Sequence, residues 1–150
     1  MQAGTVFLDT SALLRAYLIK DPFSVQVQQA LQQAERVVVS GLAHPEFVAA
    51  LTQRQHRDHA ARLSARQVTQ LLEALERDWE TFYVVPLDEA LLMEASALVI
   101  RQAVHGLRAM DAIHVASASL AAMAFDDLLF LTYDERKQRA AEAEGLKLSY

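Results

Sequence analysis

The chain has 150 residues, a length typical of one domain, and 53% of them are hydrophobic while 22% are charged. This composition excludes a disordered tail, and the absence of cysteine excludes a disulfide scaffold, a thiolate zinc site and a cysteine nucleophile. The net charge of −5 excludes nucleic-acid binding driven by overall charge, so any nucleic-acid chemistry needs a local basic patch, a metal ion or both.

Short apolar runs alternate with longer helical patterns along the chain. Five segments have the composition of β-strands, the last of them weakly: residues 5–8, 36–39, 82–85, 128–132 and 146–149. Seven segments have helical patterns: 11–18, 22–35, 45–51 (starting at Pro45 or capped earlier by Ser40), 64–81, 88–104, 108–123 and 134–144. This alternation predicts an α/β fold, one domain over residues 1–150 with a parallel sheet of four to five strands and helices on both faces.

No segment indicates export or membrane insertion. The first five residues contain no basic region, and the apolar stretch that follows ends at Asp9. The most apolar segment, residues 112–125, is shorter than a bilayer span and contains His114. We therefore expect a cytoplasmic protein with no membrane partner.

Four acidic residues stand apart from those that line solvated helix faces. Asp9 and Asp134 follow predicted strands, and folds of this kind bind ligands beyond the carboxyl ends of their strands. Glu46 and Asp111 lie on otherwise apolar helices, where an ionised carboxylate is costly unless it pairs with a cation. Structural alternatives stay open: Asp9 and Asp134 are also suited to cap helices, and Glu46 to be a first-turn acid. Asp111 is suited to be a first-turn acid or a partner of Arg108 or Arg101.

Convergence of these four acids would create a site for a hard cation. Two carboxylates about 4 Å apart repel by roughly 4 kcal/mol at an effective dielectric constant of about 20, and only protonation or a cation relieves this. Carboxylate ligands suit Mg²⁺ or Mn²⁺, and Mg²⁺ commonly shares its site with a substrate phosphate. Such a site can activate a water molecule for attack on a phosphodiester, so the pattern favours a phosphoryl substrate.

Four segments resemble the motifs of the PIN-domain nucleases, in particular the VapC-type toxins of bacterial and archaeal toxin–antitoxin pairs. In chain order they are residues 7–14 (FLDTSALL), 45–47 (PEF), 108–116 (RAMDAIHVA) and 130–134 (FLTYD). The resemblance covers essentially the whole chain. It implies a three-layer α/β/α PIN fold and an Mg²⁺-dependent endoribonuclease in which Mn²⁺ substitutes for Mg²⁺.

The same resemblance assigns roles to individual residues. The catalytic, metal-binding quartet is Asp9, Glu46, Asp111 and Asp134. Asp9 and Asp111 are the main Mg²⁺ ligands, and the other two complete the site, one of them through water or by orienting the attacking water. The hydroxyls of Thr10, Ser11 and Thr132 position carboxylates, although Thr10 fits a plain helix cap equally well.

The resemblance also implies a homodimer and a small antitoxin whose C-terminal segment lies in the active-site groove. A local basic patch suits contact with RNA phosphates or an acidic antitoxin tail, or equally a solvated connection, and consists of Arg54, Arg57, Arg62 and Arg66. His114, three residues after Asp111, is interpreted as a core histidine that donates to a backbone carbonyl rather than as a metal ligand.

Three other functions stay under consideration. Aspartyl-phosphate chemistry also uses an aspartate after the first strand, but it needs a second one two residues later, where this chain has Ser11. A PIN-like module that binds RNA or a partner without cutting is disfavoured by the intact quartet. A PIN nuclease without a toxin role would differ only in its gene neighbourhood.

Two further expectations concern charge. Lys137 is placed on a solvated, charged helix after the fourth strand. Asp9→Asn or Asp111→Asn is expected to abolish cleavage and to leave the metal-free protein at least as stable as the parent, because repulsion between carboxylates is relieved.

Overall fold

The computed structural model describes residues 4–18, 22–57 and 62–149, and within them it has five strands, seven α-helices and one 3-10 turn. The strands are β1 (Thr5–Leu8), β2 (Arg36–Ser40), β3 (Tyr83–Val85), β4 (Leu128–Leu131) and β5 (Lys147–Leu148). The helices are α1 (Thr10–Tyr17), α2 (Pro22–Gln33), α3 (Ala43–His56), α4 (Ala65–Trp79), α5 (Glu89–Arg101), α6 (Ala109–Ala124) and α7 (Glu135–Ala143), and the 3-10 turn is Ala103–His105. None of the helices in these ranges is long and apolar enough to cross a bilayer.

All five strands run parallel in one sheet, in the order β3-β2-β1-β4-β5. β1 lies at the centre, where Leu8 pairs with Val39 of β2 and with Leu131 of β4. Because the strands are parallel and in register, the carboxyl ends of β1, β2 and β4 reach the same edge of the sheet. Asp9 and Thr132 are the residues that follow β1 and β4 at this edge.

Each face of the sheet has its own hydrophobic core. On one face, Phe7 and Phe130 pack edge to face, with ring centroids 5.5 Å apart, beneath α5, α6 and α7. On the other face, Val6, Leu8 and Leu131 pack against α1, α2, α3 and α4. Successive residues of β1 point to opposite faces, so one apolar strand serves both cores. The predicted three-layer α/β/α arrangement is confirmed.

The structure differs from the predicted boundaries in two informative places. α3 begins at Ala43, so Pro45 lies in its first turn, while Ser40 ends β2 and does not cap the helix. The helix predicted over residues 88–104 ends at Arg101, and a 3-10 turn follows that closes at Gly106 with φ of 67°. This left-handed conformation suits glycine and redirects the chain into α6.

Candidate active site

Asp9 lies directly beyond β1, and its side chain is completely buried. Its Oδ1 accepts hydrogen bonds from the Ala12 backbone N–H at 2.9 Å and from the Ser11 hydroxyl at 2.7 Å, which makes Asp9 the N-cap of α1. Its Oδ2 accepts a hydrogen bond from the hydroxyl of Thr132 beyond β4. Ser11 and Thr132 therefore hold the two oxygens of Asp9 in fixed directions. Because Asp9 caps α1, the alternative that Thr10 is the cap is wrong.

A buried lysine lies beside Asp9. Lys137 Nζ is 2.8 Å from Asp9 Oδ2 and 3.9 Å from Asp111 Oδ1, and the lysine side chain is only 9% exposed. The prediction that Lys137 is solvated is wrong, because α7 turns Lys137, Ala140 and Ala141 toward the protein interior. A lysine aligned at helical spacing with two alanines, in an otherwise charged segment, is the sequence signal that could have indicated this.

The ammonium group of Lys137 dominates the electrostatics of the site. Burial alone would raise the pKa of Asp9, but the charge of Lys137 and the hydrogen bonds from Lys137 and Thr132 hold this pKa below its usual 3.8. Burial alone would lower the pKa of Lys137, but Asp9, Asp111 and Asp134 hold it above its usual 10.5. Both groups are charged at neutral pH, so Asp9 and Lys137 form a buried ion pair.

Asp111 and Asp134 each use one carboxylate oxygen to satisfy a helix start. Asp111 Oδ2 accepts from the Arg108 N–H at 3.2 Å in the first turn of α6. Asp134 Oδ1 accepts from the N–H groups of Arg136 and Lys137 at 2.9 Å and 3.4 Å, as the N-cap of α7. The structural alternatives predicted for these two acids are thus confirmed. Capping leaves Asp111 Oδ1 facing Lys137, and it leaves Asp134 Oδ2 without a donor among the described residues.

Glu46 lies in the first turn of α3 and is held by two side chains. Its Oε1 accepts from the Thr10 hydroxyl at 2.6 Å and lies 2.6 Å from His114 Nε2. Burial would raise the pKa of Glu46, but the hydrogen bonds from His114 and Thr10 hold it below 4.5. His114 is a core residue, 1% exposed, as expected. Its predicted backbone-carbonyl partner is wrong, because Nε2 bonds Glu46 and Nδ1 has no partner within the described ranges.

The four acids are brought together around Lys137. Asp9, Asp111 and Asp134 raise the pKa of Lys137, and the charge of Lys137 contributes to the lowered pKa of Glu46. In the part of the chain that the structure describes, no three His, Asp or Glu side chains form a ready-made metal cluster. Two carboxylates, those of Asp9 and Asp111, face the ammonium group of Lys137. Carboxylate oxygens directed at a position that a cation already holds suit a hard divalent ion.

One residue of the basic patch, Arg54, can be placed relative to the acids. Arg54 is in the last turn of α3, while Glu46 is in the first, on the order of 12 Å away along the helix axis. Arg57, Arg62 and Arg66 are exposed, and the connection at residues 58–61 lies outside the described ranges. Arg54 therefore lies about two helical turns from Glu46, and contact of the patch with RNA or an antitoxin stays a prediction.

Comparison with known proteins identifies the family. The PIN domain family model matches residues 6–143. Ribonuclease VapC45 of Mycobacterium tuberculosis is 31% identical over 146 residues, which cover 96% of this chain and 94% of that protein. FitAcB from Neisseria gonorrhoeae shares the fold with a TM-score of 0.72 and 19% identity, over 97% of this chain and 96% of that one. A toxin–antitoxin complex from Klebsiella pneumoniae contains a chain with a TM-score of 0.59 and 16% identity, over 86% of both chains. The chain belongs to the PIN domain family.

Proposed function

We propose that this protein is a metal-dependent endoribonuclease that cleaves RNA phosphodiester bonds, and that it is the toxin of a VapBC-type toxin–antitoxin pair. The observation that carries the proposal is the completely buried Asp9, which is fixed at the edge of the sheet and shares Lys137 with Asp111. Asp134 and Glu46 also interact electrostatically with this lysine. Membership of the PIN domain family, with a VapC ribonuclease as a relative, supports the same activity.

We assign the metal ligands from the carboxylate oxygens that no helix start uses. Asp9 and Asp111, whose oxygens face Lys137, would hold Mg²⁺ or Mn²⁺, and Glu46 and Asp134 would complete the site. The bound ion supplies a water molecule of lowered pKa and neutralises charge on the phosphodiester.

The side chains around the acids keep the site in order. Ser11 and Thr132 fix both oxygens of Asp9, so this ligand needs no rearrangement when an ion binds. Thr10 and His114 hold Glu46 by Oε1, and within the described residues Oε2 has no donor. That oxygen is therefore suited to orient an attacking water and to accept its proton.

Cleavage of a mixed RNA pool by the purified chain tests this function. Mg²⁺ or Mn²⁺ should support cutting, EDTA should stop it, and Asp9→Asn and Asp111→Asn should each abolish it. Asp126→Asn, which changes an exposed acid, is the matched control and should cut like the wild type. Cleavage that survives EDTA or Asp9→Asn would refute the assigned site. A folded protein that binds Mn²⁺ and RNA but never cuts would support the non-cleaving alternative.

We further propose that residues 1–150 form one domain that assembles as a homodimer and is inhibited by a small antitoxin covering the acidic site. Met93, Ile100 and Val104 lie at helical spacing along α5 and the turn after it, and they are 65%, 79% and 86% exposed. Such an apolar stripe suits burial against a second copy. Sedimentation analysis should show a dimer that Ile100→Glu converts to a monomer. The toxin–antitoxin complex among the structural neighbours supports the antitoxin.

A further inference from the structure

Lys137 occupies a position that its own helix does not favour. It lies in the first turns of α7, where the positive end of the helix dipole disfavours a cation. Its side chain is almost fully buried, which costs both desolvation and rotamer freedom. Its contacts must therefore stabilise the buried ammonium group. The nearest charged groups are the carboxylates of Asp9 at 2.8 Å and Asp111 at 3.9 Å.

The oxygens that contact Lys137 are the same oxygens that would hold a metal ion. Asp9 Oδ1 is already committed to the Ala12 N–H and the Ser11 hydroxyl. Asp111 Oδ2 is committed to the Arg108 N–H at the start of α6. Asp9 Oδ2, which also accepts from the Thr132 hydroxyl, and Asp111 Oδ1 both face Lys137 Nζ, so an ion that binds them meets the ammonium there.

We propose that Lys137 is a built-in counter-cation, which neutralises Asp9 and Asp111 in the metal-free protein and competes with the divalent ion for the oxygens that face it. This inference rests on the proposed function and names the residue that sets the metal affinity of that site. Mg²⁺ or Mn²⁺ binds only when the ammonium gives up these oxygens. The protein therefore folds with its site assembled before any metal arrives, and it binds the ion more weakly than four carboxylates would alone.

Metal affinity measured without RNA tests the competition directly. Free Mn²⁺ is followed by electron paramagnetic resonance as it is titrated into the wild type, Lys137→Met and Lys137→Arg. Arg139→Met is the matched control, since it removes one positive charge from an exposed position on the same helix. Lys137→Gln serves as a second neutral variant, because its amide can still donate to Asp9 and keep the protein folded.

Both neutral variants should bind Mn²⁺ about tenfold more tightly or better, while Lys137→Arg and Arg139→Met should bind like the wild type. In EDTA the melting temperatures of the neutral variants should also lie several degrees below that of the wild type, and Mn²⁺ should bring them back to the wild-type value. A merely structural lysine would lower the melting temperature without changing Mn²⁺ affinity.

Three results would overturn the proposal. Equal Mn²⁺ affinity in all variants would show that the ammonium does not compete, and the nuclease assignment would stand. Weaker binding by the neutral variants would show that Lys137 helps to hold the ion. Absence of Mn²⁺ binding by every protein, including Lys137→Met, would remove the proposed metal site and this inference with it.

Discussion

The stability of the Asp9→Asn variant distinguishes the expectation drawn from the sequence from the one drawn from the structure. If the site acids repelled one another, the amide would relieve that repulsion and the metal-free variant would be at least as stable as the wild type. In the structure, Asp9 faces the Lys137 ammonium at 2.8 Å, so the amide removes an attraction. Asparagine caps helices as well as aspartate does, so α1 keeps its cap and the change in stability reports the ion pair together with the Thr132 hydrogen bond.

The size of the loss follows from the burial of both partners. Removing one partner of a buried ion pair costs about 3–5 kcal/mol, because the other charge stays buried without compensation. Lys137 retains Asp111 at 3.9 Å, so we expect a value near the lower end, about 3 kcal/mol. For a domain of this size, that loss lowers the melting temperature by about 6–12 °C.

Urea unfolding in EDTA at neutral pH, followed by the fluorescence of the single tryptophan, Trp79, measures the difference. Folding lowers the pKa of Asp9 below its unfolded value of 3.8, so the carboxylate contributes its full stability above that pH. The contribution disappears as the pH falls through the lowered folded value. The difference in unfolding free energy between the wild type and Asp9→Asn should thus be constant between about pH 5 and 8 and should decrease below pH 3.8. A variant as stable as the wild type in EDTA, or more stable, would refute the ion pair.

Three smaller predictions follow from single contacts. Thr132→Val removes the hydroxyl that donates to buried Asp9 and should cost about 1–3 kcal/mol in urea unfolding, since valine keeps the volume. Arg101 donates to Glu144 and holds the pKa of that carboxyl below 4.5. The melting temperature of Glu144→Gln should therefore be lower than that of the wild type at neutral pH, and the two should be equal once the pH has fallen well below 4.5. Gly106→Ala places a side chain at φ of 67° and should cost about 1 kcal/mol, or about 2–4 °C in a thermal melt, and an unchanged melt would contradict the strain argument.

The fold was predictable because strand and helix signals alternate along the chain with little ambiguity. β1, β2 and β4 are runs of apolar residues, and helical patterns separate them, which leaves few topologies other than a parallel sheet covered on both faces. The ends of elements were less predictable. α5 ends at Arg101 with Gln102 as its C-cap, although residues 102–104 continue the helical pattern, and the left-handed Gly106 ends the 3-10 turn that follows.

The acids of the candidate site were predictable by their positions, while their partners were not. Asp9 and Asp134 follow strands, so the topology places them at one edge. Lys137 was missed because its neighbours in sequence are charged and exposed, and only the packing of α7 turns it inward. The pairing of Glu46 with His114 joins α3 to α6 across 68 positions in the chain, a contact that local spacing does not encode.

Helix capping and the proposed ion binding, which the sequence presents as competing explanations of the same acids, are compatible in the structure. One carboxylate oxygen accepts a hydrogen bond from a backbone N–H at a helix start in each of Asp9, Asp111 and Asp134. This contact fixes the direction of the other oxygen. The formation of α1, α6 and α7 therefore orders the site, so the binding energy of an ion is not consumed in arranging its ligands.

These caps also determine which substitutions are informative at the three aspartates. Asp→Ala at these positions would remove a cap worth about 1 kcal/mol together with the ligand, whereas Asp→Asn keeps the cap. Loss of cleavage in the asparagine variants therefore reports on the charge of the site and not on the integrity of the helices.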